Sequence, residues 1–297
     1  MEIGIISFDS IDRELWVEVI VENVENIIPN DLQKGDYISI NLKKGVTVDK
    51  LEPIHIVLIA CLIEHLHIIG YKVLIKSHHN DVDNFFYKKL RIREYFEDKG
   101  TSYIESDDDK ILNLWKIVDN EAMMRSVSIT NYLNSKYFVD YDMSGFKNAL
   151  DEVYANVADH SESNGNAYSY IHYDAMRRKI CVAVCDFGLG IARTLRNAYP
   201  TKYTSDSQAL RDSINYGISA KTNVRNRGFG LDSIVSSLSF EDKFRMVSNG
   251  ALLRCIGGKE EIEIYSLDFD FSGSLIYFEI STESFFLRDI EEEIIIA

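Results

Sequence analysis

Apolar and polar positions alternate along the chain in blocks that predict strands and helices. In the first part, Tyr37–Leu42 alternates with a period of two, as a strand does, and Lys72–Ile75 is a short apolar strand. Leu51–Ile69 predicts a long helix that ends at Gly70, and Asp81–Asp98 predicts an amphipathic helix. Strand, helix, strand and helix in this order predict a small α/β sandwich.

The second half also mixes helical and strand-like patterns. Helices are predicted at Ser144–His160, Asp206–Tyr216 and Leu231–Leu238. Strands are predicted at Ala167–Asp174, Ile180–Cys185, Phe244–Val247, Ala251–Cys255, Glu261–Ser266 and Leu275–Ser281. Asn249-Gly250 lies between two apolar runs, which predicts a hairpin turn at that point. The expected fold is an α/β sandwich, with a mixed or antiparallel sheet and helices on one face.

Two domains suit the length of 297 residues. A connecting helix is predicted at Asn120–Tyr137, and the boundary is expected within Ile117–Asp142. We therefore divide the chain into a first domain of residues 1–125 and a second of residues 126–297.

Charge and cysteine usage narrow the functional classes. The net charge of −15 disfavours binding to nucleic acid or to an anionic membrane, because both need a basic surface. The longest apolar stretch, Ile54–Gly70, carries Glu64 and three histidines, so it predicts a buried or amphipathic helix and no membrane span. The four cysteines lack the spacing of a zinc site and are expected to be buried, reduced thiols, as in a cytoplasmic protein.

Polar residues recur along one side of the helix predicted at Ser144–His160. Glu152, Asn156 and His160 are four residues apart and lie beside the apolar stripe of that helix. An Asn amide oxygen suits a hard cation such as Mg²⁺, and a Glu can accept a proton from an attacking water. A solvated polar face is the alternative for this pattern. For His160, a cap or a core contact is as plausible as a ligand contact.

Two glycine-rich segments follow this helix. Asp186-Phe187-Gly188-Leu189-Gly190-Ile191 comes directly after an apolar strand, where an Asp can accept a hydrogen bond from an exocyclic amine. Its glycines would allow a tight turn or a close approach to a flat ring. Arg227-Gly228-Phe229-Gly230-Leu231 leads into a helix, whose first N–H groups favour an anion. Each segment alone is also compatible with an ordinary loop.

The three segments together, in this order, resemble the GHKL ATPase superfamily, which includes gyrase, heat-shock chaperone ATPases, histidine kinases and mismatch-repair ATPases. Ala149–Ser161 resembles the N box of that superfamily, Cys185–Ile191 its first glycine box and Gly228–Leu231 its second. Ser272-Gly273-Ser274 resembles the last box. The resemblance covers about Ser144–Ser281 and implies a Bergerat-type α/β sandwich that binds ATP with Mg²⁺.

The resemblance implies a role for each matching position. Asp186 would accept the adenine amine with support from Ser274, and the adenine pocket would be shaped by Gly188, Gly190 and Ile191. Gly228, Phe229 and Gly230 of the second glycine box would give backbone contacts to the phosphates, and Leu231 of the same box is also expected to bind ATP. Asn156 would bind the Mg²⁺ ion, and Glu152 matches the general base of the hydrolysing members.

A segment between the glycine boxes, Arg193–Arg227, would form an ATP lid. It contains Lys221, which resembles a lid lysine of some relatives and is expected to contact ATP, and Arg225, for which a solvated loop position is about as plausible.

The first domain resembles STAS-like domains, the fold of anti-sigma-factor antagonists, in element order and in the long helix before Tyr71–Ile75. From the GHKL resemblance and Glu152 we expect an ATP hydrolase that acts as a nucleotide-gated regulatory switch with a protein partner or as a homodimer. The alternatives are a protein serine/threonine kinase of the anti-sigma-factor type and a scaffold that binds nucleotide without turnover. A histidine kinase is disfavoured, because no helical hairpin with a phospho-accepting His precedes Glu152.

Overall fold

The structure is a computed structural model that describes residues 1–26, 36–97, 101–106, 112–118, 121–160, 166–215, 218, 230–257 and 261–287. The elements of the first half are β1 Glu2–Phe8, α1 Arg13–Asn26, β2 Tyr37–Leu42, α2 Pro53–Ile68, β3 Lys72–Ser77, α3 Asn80–Asn84, α4 Glu94–Glu97, β4 Trp115–Lys116 and α5 Ala122–Tyr137. Those of the second half are α6 Ser144–His160, β5 Ala167–Asp174, β6 Lys179–Asp186, α7 Ile191–Ala198, α8 Asp206–Ser213, α9 Gly230–Ser237, β7 Lys243–Ile256 and β8 Glu261–Ser281.

The first unit is a parallel sheet with the strand order β1-β2-β3. Helices α1 and α2 are the two crossover connections, and they contact each other, so both cover the same face of the sheet. The prediction of a strand at Tyr37–Leu42 is confirmed residue for residue, and those of the long helix and the next strand hold within a few residues. The sequence patterns had not delimited β1 or α1.

The amphipathic helix predicted at Asp81–Asp98 is wrong, because the segment is broken into short pieces. Helix α3 passes into a π-helical turn, Phe85–Lys89, and Arg91 then adopts a left-handed φ of 53° before α4. The wider turn carries Tyr87 to the free edge of β3. There its hydroxyl donates to the carbonyl of Ile75 at 2.7 Å and accepts from the N–H of Ile75 at 2.8 Å.

The second unit is a five-stranded sheet with the order β4-β5-β6-β8-β7, in which every described pair of neighbours is antiparallel. Its own helices α6 to α9 share one hydrophobic core with Ile180, Val182 and Val184 of β6. The predictions at Ser144–His160 and Ala167–Asp174 are confirmed to the residue. The chain is therefore a mixed α/β protein with one parallel and one antiparallel sheet.

The hairpin turn predicted at Asn249-Gly250 is wrong. Strand β7 runs through these residues without reversing, and β8 likewise joins the two strands predicted at Glu261–Ser266 and Leu275–Ser281. Asn249 has a φ of 52°, and the register of β7 against β8 shifts on both sides of it. Asn tolerates this left-handed conformation, which serves a β-bulge as well as a turn.

Helix α2 lies between the two sheets. Residues 53–63 of this helix are all buried, and the helix contacts β3 of the first sheet and β5, β6 and β8 of the second. Cys181, Ala183 and Cys185 of β6 belong to the same core as α2, opposite the face that carries α6. The expectation of a buried helix here is confirmed, and among the described residues no helix combines the length and apolarity that crossing a membrane requires.

The division at residues 125 and 126 stays a prediction, and two features bear on where such a boundary can lie. Helix α5 runs across it without a break. Strand β4, which precedes it, pairs with β5 of the second sheet.

All four cysteines are buried and free, as expected from the sequence.

Candidate functional site

Asp186 is the last residue of β6 and is 1% exposed. Period-two alternation places it on the same face of the sheet as Val184, the face that carries α6. The N–H of Gly188 donates to Oδ1 of Asp186 at 3.0 Å. Burial raises the pKa of Asp186 to about 7, although backbone groups of Gly188 and Ser274 lower it. Among the described residues, no cationic side chain contributes to this pKa.

Ser274 is paired with Asp186 across β6 and β8, and its hydroxyl supports the loop that follows Asp186. The N–H of Ile191 donates to Oγ of Ser274 at 3.1 Å. The next two N–H groups of α7, those of Ala192 and Arg193, donate to Oγ of Ser248 at 3.3 Å and to Oδ1 of Asn249 at 2.9 Å. The first turn of α7 is thus capped from β7 and β8, and these amides are satisfied inside the protein.

Ser248 and Asn249 were not among the residues predicted from the sequence. Their only local signal was the Asn-Gly pair, which predicted a turn. The bulge at Asn249 is what directs its side chain to α7, where Nδ2 also donates to the carbonyl of Leu189 at 3.1 Å.

Gly190 occupies a tight turn against the sheet. Its φ is 86°, and a Cβ there would lie 2.5 Å from Oδ1 of Asn249 and 2.6 Å from the carbonyl oxygen of Gly273. Gly273 has a φ of 127°, and a Cβ there would lie 2.0 Å from the carbonyl oxygen of Asp186. Of the two predicted uses of the glycines, the tight turn is the one observed at Gly190.

Glu152 and Asn156 lie one turn apart on α6, both half-buried at the edge of its apolar stripe. Nδ2 of Asn156 donates to the carbonyl of Glu152 at 2.9 Å, which leaves the amide oxygen as the atom turned away from the helix. Burial raises the pKa of Glu152 above its ordinary value, and the negative charge of Asp151 raises it further. The side chain of His160 lies outside the described residues.

The fold brings α6, the end of β6 and the start of α9 to one face of the sheet. Helix α6 contacts β6, α7 and α9, and Gly230 is the first residue of α9. Leu231 and Ile191 are buried in the core beneath this face and do not line an open surface. Three predicted residues, Lys221, Gly228 and Phe229, lie outside the described residues.

The first part of the predicted lid is ordinary core structure. Residues 191–198 form α7, which was not predicted, and residues 206–213 form α8, where a helix was predicted at Asp206–Tyr216. Their apolar side chains enter the second core, among them Leu195, Ala209 and Leu210. Of the rest of the predicted lid, Ile218 packs against this core, and residues 216, 217 and 219–227 lie outside the described residues.

The side chains of this face can bind a cation whose remaining ligands are phosphates and waters. Within the described part of the chain, no three His, Cys, Asp or Glu side chains are grouped so as to hold a metal ion. Glu152 and Asn156 offer one oxygen donor group each. Mg²⁺ is commonly bound in this way, through one or two protein oxygens together with phosphates and waters.

Phe187 follows Asp186 but points to the other side of the sheet, towards the first unit. Its ring centroid lies 5.6 Å from that of Phe271 and 6.1 Å from that of His65 on α2. The N–H of Phe187 donates to the carbonyl of Asn166, whose Nδ2 donates to the carbonyl of Cys61 on α2 at 3.1 Å. The segment after β6 therefore contacts α2 while Asp186 faces α6.

No family model matches the chain. A search of curated proteins likewise found no match.

Proposed function

We propose that the face formed by α6, the end of β6 and the start of α9 binds ATP with Mg²⁺. One observation carries the proposal. Asp186 is a fully buried carboxyl group at a strand end, and no described cation offsets its burial. A buried charge is costly unless it is paired or hydrogen-bonded, and the backbone contacts of Asp186 offset only part of this cost, so the carboxyl group calls for a further polar partner. The exocyclic amine of adenine would be that partner.

The chemistry of Asp186 favours adenine over guanine. The adenine amine donates a hydrogen bond, which a carboxylate accepts. Guanine presents a carbonyl oxygen at the same ring position, and two acceptors would then face each other. A buried site penalises such an unpaired acceptor, so ATP should be strongly preferred over GTP above about pH 7, where Asp186 is ionised.

The phosphates would lie between α6 and the start of α9. Asn156 would contribute its amide oxygen to Mg²⁺, which would bridge the phosphates. The N–H groups at the start of α9, with the preceding residues Gly228 and Phe229, would hold the phosphate oxygens. Any lid would be built from the part of Arg193–Arg227 that follows α8, with Lys221 as its cation.

Three outcomes are open once ATP is bound. Hydrolysis with Glu152 as the general base is the one that we favour, because a half-buried carboxylate with a raised pKa is suited to accept a proton from water. Transfer of the phosphate to a Ser or Thr of a partner protein would use the same residue. The third outcome is binding without turnover, in which lid closure alone alters the contact with a partner or a second copy.

The binding test is a calorimetric titration of the whole chain with ATP and with GTP, with and without Mg²⁺. We expect Mg²⁺-dependent binding of ATP and at least tenfold weaker binding of GTP. Asn156→Ala should weaken the binding of Mg-ATP by more than tenfold. Unchanged affinity in a folded Asn156→Ala variant would refute the site.

Asn23→Ala is the matched control. Nδ2 of Asn23 donates to the carbonyl of Val19 at 2.7 Å on α1, just as Asn156 bonds to the carbonyl four residues before it. Both variants lose the same helix contact, so only the site should distinguish their effects on ATP affinity. Incubation with γ-labelled ATP then separates the three outcomes, which give free phosphate, labelled protein or neither.

A further inference from the structure

A cavity of about 400 Å³ lies in the first unit, at the free edge of β3. Its walls come from the C-terminal half of α2, from β3 and from the broken helical segment that follows β3. This volume falls within the range of sites for small organic molecules. The cavity lies in the other unit from Asp186 and shares no lining residue with the proposed nucleotide site.

The interior of the cavity is apolar. Branched aliphatic side chains line it from α2, from β3 and from the turn before α4, and of these Ile63, Ile75 and Ile92 are at most 4% exposed. The rings of Tyr87 and Phe96 complete this lining. The hydroxyl of Tyr87 is already bonded to both backbone groups of Ile75, so Tyr87 presents its ring to the cavity. A ligand body here must therefore be apolar.

The charged part of the lining is cationic, and His67 is a further polar residue of the lining. Lys72 and Arg93 are exposed side chains in the lining, and none of the described lining residues is acidic. This contrasts with the chain as a whole, which has 47 acidic and 32 basic residues. The aliphatic stems of Lys and Arg can cover an apolar wall while their charges stay at the opening. The cavity is thus apolar inside with positive charge at its mouth.

The Arg93 side chain is held in a defined position. Its guanidinium lies 4.4 Å from the centroid of the Tyr87 ring. The backbone before it is fixed by Arg91, which pairs through two 2.7 Å hydrogen bonds with Glu94. A fixed guanidinium loses less entropy when it binds a carboxylate, which it can do with two parallel hydrogen bonds.

We propose that this cavity binds a small organic monoanion, with an apolar ring or branched body inside and a carboxylate at the mouth between Lys72 and Arg93. The site is independent of the proposed ATP site. All titrations are therefore made with the whole chain in the absence of nucleotide and Mg²⁺.

Three probes with the same apolar body test the charge preference: 1-naphthylacetate, 1-naphthylacetamide and 1-naphthylmethylamine. Titration calorimetry at neutral pH should show that the acetate binds at least tenfold more tightly than the amide, because only the acetate pairs with both cations. The amine should bind more weakly than the amide. Equal affinity of acetate and amide, or no binding of any probe, would overturn the proposal.

Variants then locate the binding. Replacing Lys72 and Arg93 together with Gln should reduce the affinity for the acetate to that for the amide and leave the amide unaffected. Lys88→Gln is the matched control, since Lys88 is an exposed cation on the same π-helical turn but does not line the cavity. An equal loss in both charge variants would indicate attraction by the surface in general and would also overturn the proposal. Val73→Phe, which fills the cavity, should abolish binding of both probes in a variant with unchanged circular dichroism.

Discussion

Asp186 and Ser274 lie opposite each other in the register of β6 and β8, yet the hydroxyl of Ser274 serves a different partner. It accepts the N–H of Ile191, so it fixes the start of α7. The carboxyl group of Asp186 has backbone contacts with Gly188 and Ser274, which offset only part of the cost of its burial. The raised pKa of Asp186 follows from this arrangement.

Asp186→Asn should stabilise the protein relative to the native chain as the pH rises. The folded pKa of Asp186 is about 7, well above the ordinary value of about 3.9 for an Asp carboxyl group, so the folded state holds the proton more tightly. The native chain therefore loses this contribution between about pH 4 and pH 7, whereas Asn does not titrate. The full shift corresponds to at most about 4 kcal/mol, or several degrees in Tm. Thermal unfolding of both proteins at pH 5 and pH 8 measures the difference.

Comparing Asp186→Asn with the native chain cancels the titration of His55, which both proteins share. Burial lowers the pKa of His55 to about 4, so His55 gives a stability that rises with pH between about 4 and 6.5 in both proteins. Only the difference between the two Tm curves reports Asp186. A difference that stays constant from pH 5 to pH 8 would show that Asp186 is ionised throughout.

Glu152→Gln should keep Mg-ATP binding within about threefold and reduce turnover by roughly 10²–10⁴-fold, the usual contribution of a general base. Asp151→Asn provides a finer test. The charge of Asp151 helps to raise the pKa of Glu152, and the base must be ionised to act. Removing that charge lowers the pKa, so the acid limb of the pH–rate profile should move to lower pH. Normal turnover in Glu152→Gln would exclude Glu152 as the base.

Much of the fold follows from local periodicity. Strand β2 and helix α6 were predicted to the residue, because a period of two or of 3.6 is visible within a short window. Helix α7 was not predicted, and its first turn is capped by side chains 56 and 83 residues further along the chain. A local window cannot contain such partners. Similarly, the local conformation of Asn249-Gly250 is compatible with both a turn and a bulge. It forms a bulge here because β7 pairs with the long strand β8 on both sides of it.

The candidate site was likewise predictable from the sequence only in part. The positions of Glu152 and Asn156 beside the apolar stripe of α6 were predictable from helical spacing. The burial of Asp186 was not, since it depends on Ser274 and on the turn of Gly190 against β7 and β8. The orientation of Phe187 towards α2 was also not predictable, because nothing in the sequence indicates that the first unit packs on this sheet.

Gly190→Ala should destabilise the protein by about 1–3 kcal/mol, the cost of a strained backbone position, and more if Asn249 cannot move. The φ of 86° disfavours any Cβ, and the new methyl would contact Asn249 and the carbonyl of Gly273. Gly145→Ala is the control, because it lies on α6 with no atom within 4 Å of its Cβ position. Urea denaturation should show that this control is unchanged or up to about 1 kcal/mol more stable. Equal stability of the two variants would contradict the described turn.

Residues 122–297 expressed alone should not form a stable monomer, although the sequence predicts a domain boundary near their start. The fragment loses α2, and its sheet would expose the face that carries Cys181, Ala183 and Tyr277. It also loses the partner of Tyr168, whose hydroxyl donates to Glu64 of α2 at 2.7 Å. We expect the fragment to aggregate or to bind a hydrophobic dye, since large exposed apolar patches favour association. The whole chain should unfold in one calorimetric transition, because α2 belongs to the cores of both sheets. Two separate transitions, or a monomeric fragment with a cooperative unfolding curve, would contradict this shared core.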